Sequence, residues 1–281
     1  MTAAAVAASA FLAGVAGAQG FDSSSWKRPF EPFRIIGNIH YVGTEELGAF
    51  LITTPEGHLL LDGVLPESAA LLEESIRSLG FDLRDVKYLL NSQAHFDHVG
   101  SLSALKAGSG AQVLVMTGDE GLVAAGGKGG FVLGDRVSFP PVPVDRVLRD
   151  GDTIALGGTT LTARHTPGHT PGCTTWTTTV EEGGRRYVVA FPGSTSVLPG
   201  MRLAGTGLRE QFERTFAVLE QLEPDVYLAA HASFFDLAGK RARQKAGAEV
   251  NPFIDPEGYR AFIARKKKEF EAALGGQLET R

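Results

Sequence analysis

Four residues that can bind a metal ion lie within one short stretch of this chain: Gln93, His95, Asp97 and His98. Imidazole and carboxylate groups together are typical of zinc sites, and a catalytic zinc keeps one position open for water. Gln93 and His95 are two residues apart in an extended segment, so both side chains are expected on the same side. Asp97 and His98 follow where a helix is expected to begin. Because four donors so close in sequence do not readily reach one tetrahedral ion, we expect two neighbouring ions, about 3.5 to 4 Å apart in two-metal hydrolases.

The remaining donors of such a site must come from distant parts of the chain. His169 lies in a turn rich in glycine and proline, residues 166–172, directly after a predicted strand. His231 follows another predicted strand, residues 226–229. Both positions fit a site at the edge of a sheet. One histidine alone is more often a scattered polar residue, but this combination predicts a metal site.

Three other histidines and one aspartate are weaker candidates. His40 and His58 lie inside predicted strands and are expected to be ordinary packed or surface residues. His165 precedes His169 by four residues, an offset that does not bring two side chains together in a strand and turn, so we expect a structural role. Asp62 ends an apolar strand, where it either orients a ligand histidine by a hydrogen bond or caps a turn.

Apolar and alternating runs predict two rounds of strands and helices along the chain. Predicted strands span residues 34–42, 48–54, 57–62, 86–90, 111–116, 144–148, 153–156, 159–165, 174–180, 186–191 and 226–229. Predicted helices span residues 68–79, 99–106, 208–222, 237–246 and 257–273. This alternation suggests two similar α/β layers packed sheet to sheet with helices outside, although it does not fix the topology.

The composition is that of an ordinary globular protein, with 43% hydrophobic and 21% charged residues. The net charge of -5 gives no electrostatic reason to bind nucleic acid. Residues 3–18 are small and apolar, which predicts a cleaved signal peptide at residues 1–18 and a single domain at 19–281, although no basic residue precedes the run. A disordered tail and a membrane anchor are the alternatives. Export predicts a periplasmic or secreted protein.

Three further features are expected to be structural. Cys173 is the single cysteine, so it forms no internal disulfide, and we expect a small packed residue beside His169. The glycine-rich run at residues 125–130 predicts a mobile surface loop, because it lacks the P-loop pattern of phosphate-binding sites. The basic run at residues 265–268 predicts a solvated face of the last helix.

In these segments the chain resembles the metallo-β-lactamase superfamily. The matching segments are Leu60-Leu61-Asp62-Gly63, residues 93–100, residues 166–172 and Ala230-His231. The resemblance implies an α/β fold, the four-layer αβ/βα sandwich of that superfamily, with the site at the shared edge of its two sheets. Gln93 departs from the H-x-H-x-D-H pattern, which has histidine at that position. An amide oxygen is a weaker zinc donor than an imidazole nitrogen, so a first site of reduced affinity is expected.

Ser194 narrows the resemblance to the β-lactamases of class B, subclass 3. Many other hydrolases of the superfamily carry a metal-bridging aspartate at this place after a glycine, and a hydroxyl is a poor substitute. Residues 26–35, the glycine-rich run with residues 131–135, and residues 193–196 are also similar to that subclass. The resemblance assigns six metal ligands, Gln93, His95 and His169 for the first zinc and Asp97, His98 and His231 for the second.

The function implied is zinc-dependent hydrolysis of the β-lactam amide of penicillins, cephalosporins or carbapenems by a metal-bound hydroxide. Asp97 would orient the nucleophile, and Ser194 and Ser196 would contact the substrate carboxylate. Two Zn²⁺ ions, a small-molecule substrate, no nucleic-acid or membrane partner and a monomer are expected. Two alternatives stay open, a lactonase or thioesterase of the same superfamily and a metal-binding relative with weak catalysis, which a poorly occupied first site at Gln93 would favour.

Overall fold

The computed structural model describes residues 23–130 and 137–279. The predicted signal peptide and residues 131–135 lie outside these ranges, so the predictions made for them stay predictions. Within the two described ranges, every helix is too short or too polar to cross a membrane.

Seven strands form the first sheet, in the order in which they occur along the chain. They are β1 (Phe33–Ile36), β2 (Ile39–Tyr41), β3 (Phe50–Thr54), β4 (Gly57–Leu61), β5 (Val86–Leu90), β6 (Gln112–Met116) and β7 (Arg146–Leu148). Neighbours from β1 to β4 are antiparallel, and those from β4 to β7 are parallel. Parallel neighbours need crossover connections, which place helices over the outer face of this sheet.

The second sheet has five strands, and its order along the sheet is β12, β11, β10, β9, β8. They are β8 (Thr153–Leu156), β9 (Thr159–His165), β10 (Thr174–Glu182), β11 (Arg185–Phe191) and β12 (Val226–Tyr227). The described α-helices are α1 (Ala69–Ser78), α2 (Phe96–Val99), α3 (Leu102–Ser109), α4 (Glu120–Ala124), α5 (Leu208–Gln221), α6 (Leu237–Lys245) and α7 (Pro256–Glu279). Short 3-10 helices include Ser23–Trp26, Pro66–Ser68, Leu83–Asp85 and Ala232–Phe235.

Strand β4 shows how the layers pack. Leu59 and Leu61 belong to the apolar core shared with the second sheet, whereas Leu60 belongs to the core shared with α1 and α3. Side chains alternate across a strand, so both faces of the first sheet are buried. On the far side, Phe212 of α5 and Phe262 of α7 join the core of the second sheet. The predicted four-layer sandwich with outer helices is confirmed.

Several predicted elements differ from the structure in their bounds, and three of them differ for a clear local reason. Residues 34–42 are not one strand but the hairpin of β1 and β2, because Gly37 adopts a φ of 53° and reverses the chain. Residues 99–106 are divided between α2 and α3, because the Gly100 amide donates to the Val64 carbonyl instead of continuing α2. Helix α7 continues to Glu279, beyond residue 273, where the Gln277 side chain is anchored to Leu203 N and to the Met201 carbonyl.

Candidate metal centre

The predicted ligands meet where strands of both sheets end. The segment with Gln93 and His95 follows β5, His169 follows β9, and His231 follows β12. The ends of the two sheets are joined by backbone hydrogen bonds, from Thr174 N to Ser92 O and from Gly48 N to Ala230 O, both 2.8 Å long. The edge shared by the sheets therefore holds these side chains in one place.

Asp97, His98 and His231 form a compact donor set. One donor atom from each residue lies within 4.8 Å of the other two. Asp97 Oδ2 is 3.3 Å from His98 Nε2 and 3.7 Å from His231 Nε2. Three protein donors around one point leave a fourth tetrahedral position open, as in catalytic zinc sites.

His95 and His169 form a second donor set, and Gln93, two residues before His95 in the same segment, is the candidate for its third member. His95 Nδ1 lies 3.1 Å from His169 Nε2. Two nitrogens bound to one tetrahedral zinc are about 3.4 Å apart, given zinc–nitrogen distances of about 2.0–2.1 Å. Gln93 is buried, and its Oε1 has no hydrogen-bond partner among the described residues. A buried oxygen without a partner is costly, so this orphaned acceptor fits a metal ion or a water bound to one.

The turn that carries His169 is held against helix α5. Gly168 has a φ of 133°, and a Cβ there would lie 3.0 Å from the Phe212 ring. Thr215 Oγ1 donates a 2.6 Å hydrogen bond to the Pro167 carbonyl from the same helix. Only glycine suits both the backbone angle and the close approach, which explains why the turn has a glycine directly before the ligand.

Two histidines of the site have carboxylates behind them. Asp62 Oδ2 lies 3.4 Å from His98 Nδ1 and accepts a 2.7 Å hydrogen bond from Ser92 Oγ. Glu46 Oε1 lies 3.4 Å from His231 Nδ1. A carboxylate beside Nδ1 orients the histidine ring so that Nε2 faces the metal position, and it raises the basicity of the ring. Asp62 Oδ1 also accepts a 2.7 Å hydrogen bond from Ser92 N, so Asp62 has the contacts for both expected roles, orientation of His98 and a turn cap.

His169 is oriented by the backbone instead. Its Nδ1–H donates a 2.6 Å hydrogen bond to the Ser196 carbonyl, which leaves Nε2 free to bind a metal ion. The Ser196 amide in turn donates to Ser194 Oγ at 3.3 Å. The segment after β11 thus reaches the site through its backbone, with the two predicted substrate-binding hydroxyls in the same loop.

Burial and charge set the protonation of the ligands. Burial lowers the pKa of His95 to about 4 and holds the pKa of His169 well below its ordinary value, so both rings are neutral near pH 7. Burial also opposes a charge on His98, but Asp97 and Asp62 outweigh it and raise the pKa of His98 to about 10. Burial alone would raise the pKa of Asp97, yet the neighbouring histidines, His98 foremost, hold it below its ordinary value. The Asp97 carboxylate is therefore ionised and ready to bind a cation.

Asp119 joins the segment of Gln93 and His95 to the turn of His169. It is fully buried, and Oδ2 accepts hydrogen bonds from Ala94 N at 3.0 Å and Thr170 Oγ1 at 2.7 Å. Its Oδ1 accepts from Gly172 N at 2.7 Å. Burial raises the pKa of Asp119 to about 6 against these three donors. A lone acid before a short helix carries no motif, so nothing in the local sequence distinguishes it from a helix cap.

The remaining histidines lie outside the donor sets, as predicted. His40 and His58 are buried around the Phe81 ring, with ring centroids 5.2 and 5.0 Å from it. His165 Nε2 lies 2.8 Å from the Pro171 carbonyl. Each of these rings packs against or bonds to the fold rather than to the site.

Cys173 is buried beside the site without belonging to either donor set. Its Sγ lies 3.5 Å from the Ser194 carbonyl, and burial raises the pKa of the thiol well above its ordinary value. A thiol of this kind is a poor nucleophile, which agrees with the predicted packing role.

Lys266 contradicts the prediction of a solvated basic face. It is 7% exposed, whereas Arg265 and Lys268 on either side of it are exposed. The reason is helical spacing, since Lys266 lies four residues from both Phe262 and Phe270 on the buried face of α7. The basic run therefore places one of its members inward, towards the loop that contains Ser196.

A family model described as "Metallo-beta-lactamase superfamily" matches residues 49–231. Among solved structures, the native FEZ-1 metallo-beta-lactamase from Legionella gormanii has a TM-score of 0.87 and 39% identity, covering 89% of this chain and 97% of that one. BJP-1, a subclass B3 metallo-beta-lactamase of Bradyrhizobium japonicum, has a TM-score of 0.85 and 36% identity, covering 92% and 99%. The fold and the donor chemistry of the site agree with these comparisons.

Curated relatives match over shorter stretches. A hydroxyacylglutathione hydrolase of Fuscovulum blasticum is 26% identical over 178 residues, which is 61% of this chain and 56% of that protein. The chain spans 39% and 56% of the length of the first two curated relatives that it matches. The first of these relatives is named a probable metallo-hydrolase of Burkholderia pseudomallei, which is a broader description than those of the solved structures.

Proposed function

This chain belongs to the metallo-β-lactamase superfamily, and we propose that it is a zinc-dependent hydrolase that opens the amide bond of β-lactams. The observation that carries the proposal is the similarity to subclass B3 β-lactamases over about nine-tenths of the chain, 89% for FEZ-1 and 92% for BJP-1. The curated hydroxyacylglutathione hydrolase matches with lower identity and over a smaller share of the chain. The donors also support zinc, because catalytic zinc sites commonly have three protein ligands drawn from imidazole and carboxylate groups.

We assign the six predicted ligands to two metal positions, Asp97, His98 and His231 to one and Gln93, His95 and His169 to the other. Zinc held there supplies a polarised water that ionises near neutral pH and a Lewis acid for the substrate carbonyl. The chain's part is to hold its donors in place, which Asp62, Glu46 and the Ser196 carbonyl do from behind three histidines.

Asp97 has a second role in the proposed reaction. Its side chain is 10% exposed and ionised, so one oxygen can accept a hydrogen bond from the attacking water and fix the direction of its lone pair. The other carboxylate oxygen remains available to the metal. Asp97 is thus the predicted catalytic residue as well as a ligand.

Ser194 distinguishes this site from those of many other hydrolases of the superfamily. Where they have a metal-bridging aspartate, this chain has a hydroxyl whose Oγ accepts a hydrogen bond from the Ser196 amide. Free of a bridging role, the Ser194 and Ser196 hydroxyls can serve a substrate carboxylate instead. Penicillins, cephalosporins and carbapenems all carry such a carboxylate near the nitrogen of the β-lactam ring.

The test compares three substrates with the purified holoprotein: a chromogenic cephalosporin, a lactone and a glutathione thioester. We expect the cephalosporin to be hydrolysed fastest, with activity lost on chelation and restored by zinc. Asp97→Asn, which keeps the size of the side chain, should lose at least about 100-fold in kcat/KM. Turnover of the thioester or the lactone alone would refute the β-lactam assignment and favour the relatives of the hydroxyacylglutathione hydrolase type.

A further inference from the structure

Lys266 is a buried cation whose contacts reach the surroundings of both donor sets. The side chain is 8% exposed, and its Nζ lies 4.4 Å from the centre of the Phe234 ring. The Phe234 ring in turn packs against the ring of His231, with centroids 5.2 Å apart. An ammonium over an aromatic face is stabilised by the ring quadrupole. The Phe234 ring thus contacts both the ammonium and His231, one of the predicted metal ligands.

The same ammonium also contacts the loop that supports the other donor set. Lys266 Nζ donates a 3.4 Å hydrogen bond to Ser196 Oγ. The carbonyl of Ser196 accepts the hydrogen bond from His169. Lys266 therefore contacts both the ring that packs against His231 and the loop that orients His169, and its partner in that loop is a predicted substrate-binding hydroxyl.

The charge of Lys266 is only partly matched within the protein. Its carboxylate partner is Glu269, with Nζ 2.9 Å from Oε2, and the Glu269 side chain is 52% exposed. A carboxylate so exposed is well solvated and binds its partner weakly. It can therefore yield the ammonium to another anion without leaving a charge buried in an apolar place.

We propose that Lys266 Nζ and Ser196 Oγ form an anion clamp that binds the carboxylate of the substrate. This inference rests on the proposed function and adds a formally charged group to a subsite otherwise built from hydroxyls. A charge-assisted hydrogen bond is about twice as strong as a neutral one, so Lys266 determines the preference of the enzyme for substrates that carry a carboxylate.

The experiment uses a chromogenic cephalosporin as the free acid and as its methyl ester, with the zinc-loaded protein. Lys266→Met keeps the length of the side chain and removes the charge. It should raise KM for the acid by about 10- to 100-fold and change KM for the ester less than about threefold. Lys266→Arg should retain most of the preference for the acid. Circular dichroism and thermal melting of each variant verify the fold.

Two matched variants separate the clamp from a structural role. Lys267 follows Lys266 but pairs with Glu220, so Lys267→Met removes the same charge and should leave both substrates unaffected. Glu269→Gln removes the competing carboxylate and should lower KM for the acid alone. An equal loss on acid and ester in Lys266→Met would overturn the clamp, and so would an unchanged KM for the acid in Lys266→Met or in Glu269→Gln.

The clamp and the proposed function can fail independently. If the wild type hydrolyses no β-lactam, the β-lactam assignment falls, and the intact acid and ester can then be titrated onto the same holoproteins by calorimetry. Tighter binding of the acid that disappears in Lys266→Met would still support the clamp. Equal binding of acid and ester by the wild type would overturn it.

Discussion

Removal of the Asp119 carboxylate should loosen the fold and the metal centre together. Asp119→Ala leaves three buried donors without their acceptor, Ala94 N, Thr170 Oγ1 and Gly172 N. Each unsatisfied buried donor costs about 1–3 kcal/mol, and part of that cost is offset because a buried carboxylate no longer has to be desolvated. We expect the free energy of unfolding to fall by about 3 to 5 kcal/mol.

The assay is urea unfolding of the wild type and the variant, with zinc and with chelator. Zinc should stabilise Asp119→Ala less than it stabilises the wild type, because Asp119 connects the segment of Gln93 and His95 to the turn of His169. Asp119→Asn keeps the size of the side chain and one acceptor oxygen, so its free energy of unfolding should lie between those of the wild type and Asp119→Ala. A loss below about 1 kcal/mol in Asp119→Ala, or equal stabilisation of both proteins by zinc, would refute the reasoning.

Four further predictions concern individual groups of the site. Gln93→His should increase the zinc retained per chain after dialysis at low free zinc, and unchanged stoichiometry would mean that the glutamine does not limit the first site. Metal binding should release a proton from His98 at pH 7, because its pKa is about 10 and a protonated ring has no lone pair to donate; affinity should therefore rise with pH up to about 10, as calorimetry in buffers of different ionisation enthalpy can measure. Glu46→Gln should weaken zinc binding by about 10- to 100-fold through the orientation of His231, measured against a chromophoric chelator, and an unchanged affinity would contradict that role. Cys173 should react with a thiol reagent only after denaturation, since burial raises its pKa, and rapid reaction of the native protein would count against a packing role.

The sequence predicts the strands of the sandwich well where the apolar pattern is unbroken. Strand β5 and strand β9 have the predicted bounds, residues 86–90 and 159–165, because both are apolar or alternating and end at polar turns. The pattern fails at residues 34–42, where a single glycine reverses the chain without interrupting the run of apolar residues. The hydrophobic pattern predicts where a strand lies, but it does not predict that one residue adopts a positive φ and reverses the chain.

The candidate ligands stand out in the sequence because their chemistry is rare and concentrated, whereas the residues that support them do not. His95, Asp97 and His98 are near neighbours in sequence, and the structure brings His169 and His231 to them. Glu46 and Asp119 act on the site across distances in sequence that no local pattern records. Lys266 is a similar case, since helical spacing could have indicated its buried face, but the basic run around it points to solvent.

The shared edge of the two sheets has a consequence for the order of assembly. Asp97 and His98 come from the first sheet, while His169 and His231 come from the ends of strands in the second. A growing chain that has completed only the first sheet therefore presents an incomplete donor set, and it can hold a metal ion only weakly. Full affinity appears once the second sheet has docked, and from then on the bound ion resists separation of the sheets at that edge. Tight metal binding should therefore require that the chain has folded as far as His231, after the last strand of the second sheet.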